Sequence, residues 1–329
     1  MNICVLGAGN FGTTIANTLA KNGNKVSLWN WDGDPDPIKQ IKTHRENKKY
    51  LPEINISDKV TATLNMQQAI VGSDMVCFIV ASSAIKETIE DVGQYIESDQ
   101  LLINFTKGID SESLTLTTDI IKGLNNSRAE NIATLAGPAV ANQLAREQFT
   151  AMNLAAEELS TADEIKDVLE NDYLKLKRTR DMIGIQVGSA FKNVYAIALG
   201  ICDGMDLPLN TKSALLTIAI EEIADLVEKM GGDRETMFDL AGVGDLIGTA
   251  LADSSRNRRF GEYLAEGKNV EEAKQAVGQT VEGLEAVQVF CELADKFDIS
   301  CKFAKLVHGC IQTGTCSIDK EHLFSLFDE

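Results

Sequence analysis

Lys192 is the sole charged residue of the 183–202 segment, IGIQVGSAFKNVYAIALGIC. An ammonium withdrawn from water without a partner is costly, and its usual response is a lowered pKa, which makes lysine a competent proton donor and acceptor near neutrality. The residue therefore either does acid/base chemistry or carries its charge along its stem to water or a carboxylate. Histidine offers little competition. The chain has three, His44, His308 and His322, none beside a serine or cysteine in a nucleophile motif and none in an HExxH pair. That pattern argues against a histidine-driven hydrolase and against a metal site of that kind, and no metal is expected. A second lysine, Lys107, follows the apolar run 101–105 in the loop TKG.

The other chemistry-bearing pattern is at the start. NICVL at 2–6 feeds into GAGNFG, with Gly7, Gly9 and Gly12 in GxGxxG spacing; a helical pattern follows, stops at Gly23, and gives way to KVSLW at 25–29. In that strand, turn, helix and strand context, Gly7 permits the tight turn, Gly9 the close approach of a pyrophosphate, and Gly12 close packing of helix on strand. The helix N-terminus then faces the phosphates. Asp32 stands twenty residues after Gly12, where such folds place a carboxylate on the ribose hydroxyls, and no lysine or arginine occurs in 28–38. NAD is favoured over NADP on this reading. The competing reading makes Asp32 a solvated residue of the turn DGDPDP.

These residues need elements to hold them. Further apolar strand candidates fall at 75–80, 101–105 and 132–136, with helical patterns at 85–96 and 114–124 between them. Alternation of this kind predicts a parallel, doubly wound sheet that binds ligands beyond the carboxyl ends of its strands. The loops VASS (80–83), TKG (106–108) and AGP (136–138) are then the informative ones, and they place Lys107 and Gly137 at the ligand edge. After about residue 181 the strand signals fade, and 183–202, 213–230, 284–297 and 303–311 all read as helices. The expected fold is α/β: an N-terminal Rossmann-like doubly wound parallel sheet over 1–181 and an all-helical C-terminal domain over 182–329. In the second half, Ser254, Ser255 and Asn257 are N-cap types, so Arg256 and Asn257 fall at a helix start. Free amides, the helix dipole and a guanidinium fork favour a phosphate there. Arg256, Arg258 and Arg259 form the densest positive cluster of the chain, unless they are a solvated basic face.

The 329 residues are 44% hydrophobic and 24% charged, ordinary for a globular protein of two domains. A formal charge of −18 argues against general nucleic-acid or anionic-membrane partners, which need a broad positive field. It still allows an anionic small molecule bound by locally gathered cations. The seven cysteines are odd in number with no CxxC spacing, which reads as reduced thiols in a cytoplasmic protein. Gln186, Lys192, Asn193 and three glycines interrupt the 183–202 stretch, so a buried helix is expected there and no integral membrane segment; no signal peptide is expected either.

Taken in order, GAGNFG, LWNWD, NKKYLP, TKG, LAGP, VGSAFKNVYAIALGICDGM, AGVGDL, SSRNRRFG and GQTVEG resemble the soluble, bacterial-type NAD(P)-dependent glycerol-3-phosphate dehydrogenases over nearly the whole chain. The resemblance implies reversible hydride transfer between the nicotinamide and C2 of dihydroxyacetone phosphate, giving sn-glycerol 3-phosphate for glycerophospholipid synthesis. It implies that Lys192 is the general acid/base, that Lys107 polarises or positions the substrate and also meets the cofactor, and that Asp245 is a carboxylate partner of the lysine. Asn193, Asp245 and Thr249 match positions beside the substrate, with Gly137 at the same edge. Ser255, Arg256 and Asn257 match the phosphate-holding element, with Arg256 also near the cofactor. Asn10, Phe11, Ala141 and Glu282 match cofactor-contacting positions, as Trp31 and Asp32 do near the adenosine. The chain departs from the pattern in reading ALLTIA at 214–219 where bacterial members usually read ALITRG, and Gln143 where a glutamate is usual. Trp31 stands where NADP-using members tend to be basic. A homodimer is expected from the apolar helices of the second half. Two alternatives stay open: a related dehydrogenase of another small phosphorylated ketone or hydroxyacid, and a non-catalytic NAD(H)-binding sensor.

Overall fold

A computed structural model of the chain describes residues 1–250 and 255–328. It divides into two compact units, Met1–Asp110 with Thr115–Met182, and Ser111–Leu114 with Ile183–Glu329.

The first unit is built on an eight-stranded sheet: β1 (Asn2–Leu6), β2 (Lys25–Trp29), β3 (Val60–Thr63), β4 (Met75–Phe78), β5 (Leu101–Asn104), β6 (Ile132–Ala136), β7 (Thr150–Ala156) and β8 (Leu174–Thr179). Their order is β3-β2-β1-β4-β5-β6-β7-β8. Every residue of β4, β5 and β6 is buried, which is why these strands are mostly apolar instead of alternating, with Asn104 and Thr134 the buried polar exceptions. The strand order reverses between β1 and β4, and the glycine loop leaves β1 at that point. The helix Asn10–Lys21 buries Ile15 and Leu19 in the same core as Val5 and Leu28. Each side chain of that size contributes on the order of 1.5–3 kcal/mol of transfer free energy.

The sheet is not wholly parallel. β7 runs antiparallel to β6, in register Ala133 with Ala156 and Leu135 with Leu154, and β8 then adds parallel to β7. The chain re-enters the sheet from β6 to β7 without the long crossover that parallel pairing requires, and the Leu159–Leu169 helix supplies one between β7 and β8.

The second unit is helical. The 183–202 segment, expected as one helix, is two: Met182–Ala190 and Lys192–Gly204. Phe191 separates them at φ −98°, ψ −1°, its carbonyl accepting from Val194 N–H at 3.0 Å in a tighter turn. Lys192 is therefore the first residue of a helix and not the middle of one. Met182–Gly204 is long and apolar enough to cross a membrane by composition, but 94% of the window is buried inside the protein, as in the core helix of a globular domain.

Glycines set how closely the helices of this unit approach. A Cβ on Gly200 would stand 1.9 Å from the Arg258 carbonyl oxygen, and one on Gly261 2.1 Å from that of Ile197. Lys192–Gly204 and Arg256–Ala265 thus cross backbone to backbone. Behind them Phe191 and Phe290 meet edge to face at 4.7 Å, and Tyr195 tilts on Phe303 at 5.5 Å. The buried carboxylate of Glu222, on the helix Leu209–Lys229, accepts from Tyr195 Oη at 2.7 Å and from the backbone N–H groups of Phe303 and Ala304 at 2.7 and 3.1 Å, capping the Lys302–Thr313 helix.

Candidate active site

In the first unit the glycine loop separates what the fold requires from what it does not. Gly7 has φ +107°, and a Cβ there would lie 2.2 Å from the Ile79 carbonyl oxygen; a Cβ on Gly12 would lie 1.9 Å from that of Gly7. Both are dictated by packing. At Gly9, the N-cap of Asn10–Lys21, φ is −70° and a Cβ would meet nothing within 4 Å. Among the described residues no atom explains that glycine, and the open space beside the helix N-terminus is what a pyrophosphate would need to approach it. Asn10 Oδ1 beside it is buried without a hydrogen-bond partner among the described residues, an acceptor of the kind a bound nucleotide can satisfy.

The loop is braced by residues that the motif does not contain. Asn47, fully buried, donates from Nδ2 to the Ala8 carbonyl at 2.9 Å and to Thr13 Oγ1 at 2.8 Å, and Asn30 Oδ1 accepts from Ala8 N–H at 3.1 Å. Phe11 packs edge-on to Phe105, with centroids 6.2 Å apart. Thr14 Oγ1 reaches the Ala141 carbonyl at 3.4 Å, tying the first helix to the Ala141–Ala145 turn. Beyond β2, Trp31 is 59% exposed, its ring folded over Gly33, and Asp32 is exposed in the same turn. The carboxylate engaged by protein is Asp34, which accepts from Lys49 Nζ and Tyr50 Oη, each at 2.7 Å. Burial pushes the Asp34 carboxyl up, but those hydrogen bonds outweigh it and hold it below the usual carboxylate range.

Lys107 is held at the carboxyl ends of β5 and β6. Its Nζ donates to the Gly137 carbonyl at 3.3 Å, so the two loop residues meet. The turn that carries it is fixed by Asn104, which accepts from Thr106 N–H at 3.0 Å and donates to Thr134 Oγ1 at 3.2 Å, and by Thr106 Oγ1, which donates to the Val80 carbonyl at 3.0 Å. Gly137, at φ +154°, has no room for a side chain: a Cβ would stand 2.9 Å from Met152 Cα.

In the second unit Lys192 Nζ and Asp245 Oδ1 form a hydrogen-bonded ion pair, the lysine 9% and the aspartate 2% exposed. Asp245 opens the helix Asp245–Ala250 directly after the π-helical turn Leu240–Gly244. Gly242 lets that turn close, since a Cβ there would stand 2.1 Å from the Met237 carbonyl oxygen. Thr249, four residues after Asp245, shares its helix face and is partly exposed. The next residue after the lysine, Asn193, donates from Nδ2 to Glu282 Oε2 at 3.1 Å, and the other oxygen of Glu282 lies 3.7 Å from Arg256 Nη2.

The arginine cluster resolves into different tasks. Ser255 is the N-cap of Arg256–Ala265, its Oγ accepting from Arg258 N–H at 3.3 Å; Ser254 lies outside the described residues. Arg258 pairs with Asp203 at 2.5 Å and with Glu262 at 3.7 Å, and Arg259 donates to the Val277 carbonyl at 3.3 Å, so both serve packing. Arg256, 41% exposed in its side chain, stands at the first turn. Asn257, buried, accepts from Gly283 N–H at 2.9 Å through Oδ1, which leaves its Nδ2 the donor that a phosphate oxygen can use. Gly283 permits this approach, because a Cβ there would crowd Ile197, the Asn193 carbonyl and Asn257 Oδ1.

A doubly wound sheet with a glycine loop at its switch point, together with a helical unit carrying a buried lysine–carboxylate pair, defines a Rossmann-type two-domain dehydrogenase. Residues 2–162 match the family model described as NAD-dependent glycerol-3-phosphate dehydrogenase N-terminus, and residues 181–319 match its C-terminus. The chain belongs to that NAD(P)-dependent glycerol-3-phosphate dehydrogenase family. It is 36% identical to glycerol-3-phosphate dehydrogenase [NAD(P)+] of Clostridium tetani over 95% of this chain and 88% of that one. It is 34% identical to the Bacillus cytotoxicus protein of the same name, over 95% and 91%. Among solved structures, the crystal structure of glycerol-3-phosphate dehydrogenase from Coxiella burnetii superposes with a TM-score of 0.91 at 30% identity, covering 100% of this chain and 99% of that one.

Proposed function

We propose that this chain catalyses reversible hydride transfer between NAD(P)H and C2 of dihydroxyacetone phosphate, forming sn-glycerol 3-phosphate as a glycerophospholipid precursor. The observation that carries the reading is the buried Lys192–Asp245 pair, with Asn193 next to it linked through Glu282 to Arg256. When bound, the dinucleotide would supply the hydride from its nicotinamide; the Gly7–Gly12 loop and the N-terminus of Asn10–Lys21 would hold its pyrophosphate. Asn10, Phe11, Ala141 and Glu282 are the further residues assigned to the cofactor.

Reduction of a ketone builds negative charge on the carbonyl oxygen, so cationic donors directed at that oxygen stabilise the transition state. In this reading Lys192 Nζ delivers the proton to the C2 oxygen and in the reverse direction removes it. Asp245 holds the ammonium in place and compensates its buried charge. Lys107 is assigned as a second cationic donor to the substrate, and Asn193, Thr249 and Gly137 are the further residues assigned to it. Arg256, Asn257, Ser255 and the helix N-terminus they share take the phosphate, which orients the ketone through a group that does not react.

The adenosine end supports NAD as the preferred cofactor, with Trp31 and Asp32 exposed beyond β2 and no basic residue in 28–38 to meet a ribose phosphate. The setting in which these assignments fit together is a cytoplasmic homodimer acting on a small phosphorylated ketone. A steady-state assay with dihydroxyacetone phosphate and each reduced cofactor in turn tests the proposal. Turnover with NADH exceeding that with NADPH is expected; absence of turnover, or a clear preference for another ketone, would overturn it.

A further inference from the structure

Near the C-terminus two cysteines that the proposed chemistry does not use are held against each other. Cys310, on the helix Lys302–Thr313, is 2% exposed; Cys316, in the turn that follows, is partly exposed. Their sulfurs stand 2.8 Å apart. A disulfide bond is about 2.05 Å long, so closure needs less than about 1 Å of travel. The turn between them is pinned at both ends. Gly314, at φ +75°, reverses the chain, and its carbonyl accepts from Val270 N–H at 3.0 Å; Thr313 Oγ1 donates to the Thr315 carbonyl at 2.9 Å; Asp319 caps the next short helix by accepting from His322 N–H at 2.9 Å.

We propose that Cys310 and Cys316 are a reversible redox site, closing to an intramolecular disulfide by exchange with a low-molecular-weight disulfide and reopening with thiols. Cys316 is the attacking group because it is the accessible one. Its thiolate attacks one sulfur of the small disulfide, forming a mixed disulfide and releasing one thiolate. Cys310 then gives its proton to that released thiolate and attacks Cys316 Sγ, expelling the second. The two protein thiols are oxidised, and the small disulfide is reduced to two thiols. The division of labour matches the electrostatics: the hydrogen bond from Cys310 draws the Cys316 thiol below the ordinary range, which favours the thiolate. Cys291 and Cys301 also pair thiol to thiol, but at 3% and 1% exposure neither meets a reagent in the folded protein.

The test uses the reduced full-length chain in glutathione buffers of increasing oxidised fraction, quenched with acid, alkylated and digested with trypsin. The peptide 306–320 contains Cys310 and Cys316 and no other cysteine. With oxidation it should become two hydrogens lighter and lose both alkylation sites, and dithiothreitol should restore them. Cys310→Ala should stop at a glutathione adduct on Cys316, and Cys316→Ser should form neither product. A parent peptide that accumulates the adduct without closing, or that stays reduced in fully oxidised glutathione, would overturn the proposal.

Discussion

Lys192 and Asp245 form a buried ion pair that joins the first residues of two helices, Lys192–Gly204 and Asp245–Ala250. Lys192 follows the break at Phe191, whereas Asp245 stands where the Gly242-dependent π turn Leu240–Gly244 runs directly into its helix. The pair is thus fixed by backbone geometry as well as by charge, as the proposed role of Lys192 in proton transfer requires.

Lys192→Met should lower kcat by about 10²–10⁴-fold, the range for loss of a general acid. It should also destabilise the fold, by up to about 3–5 kcal/mol, because a buried carboxylate loses the cation paired with it. The double variant Lys192→Met/Asp245→Leu separates the two effects. Denaturant titration should show its stability recovered while turnover stays at the level of the single variant. Recovery of turnover in the double variant would remove Lys192 from the chemistry.

Arg256→Ala should raise KM for dihydroxyacetone phosphate by about 10–100-fold, corresponding to the ~1.5–3 kcal/mol of a hydrogen bond to a charged group. The same variant should turn over unphosphorylated dihydroxyacetone as slowly as the parent does, because the clamp has nothing to hold. An equal loss on both ketones would place Arg256 at the reacting centre instead. Arg258→Ala is the structural control: its partners Asp203 and Glu262 belong to the helix crossing, so Tm should fall before KM moves.

Two of the loop glycines, Gly12 and Gly9, should respond differently to alanine. Gly12→Ala should cost the fold itself, seen as a collapse of Tm, because the new Cβ meets the Gly7 carbonyl at 1.9 Å. Gly9→Ala has an ordinary φ of −70° and open space, so its Tm should stay with the parent while Kd for NADH rises at least about tenfold, or ~1.4 kcal/mol. Calorimetric titration of folded Gly9→Ala decides it, and unchanged NADH affinity would show that no ligand approaches this backbone.

What could be read without coordinates follows the physics of each element. β1, β4, β5 and β6 are buried on both faces or nearly so and announce themselves as apolar runs, whereas β3 (VTAT) and β7 (TAMNLAA) are small or polar and owe their pairing to neighbours. β8 carried a legible signal, Leu174 and Leu176 inward with Lys175 between them, but one short alternating run seldom stands out before its partner strand is known. The break at Phe191 has no proline or glycine to mark it. Asn47, Asn104 and Thr106 position the glycine loop and the Lys107 turn through side-chain hydrogen bonds whose acceptors lie in other strands and turns, and single-sequence patterns do not encode such pairings.

Glu222 is the clearest residue of that hidden kind, its partners Phe303 and Ala304 lying 81 and 82 positions away, and it gives a pH prediction with a definite sign. Burial raises its carboxyl above the ordinary 4.5, although hydrogen bonds from Tyr195, Phe303 and Ala304 pull the other way. Between 4.5 and the folded value, the native chain keeps a proton that the unfolded chain releases, so the contribution of Glu222 to stability falls as pH rises through that window and levels off above it. Glu222→Gln removes the titration while keeping an acceptor for the capped helix. The stability of the parent minus that of Glu222→Gln, from urea titrations between pH 4.5 and 8, should therefore decline with pH, by at most about 1.4 kcal/mol per unit. Taking the difference cancels the many other carboxylates, whose titration is common to both chains. A difference that instead grew with pH would mean that the three hydrogen bonds outweigh burial and that Glu222 is held charged as an N-terminal cap.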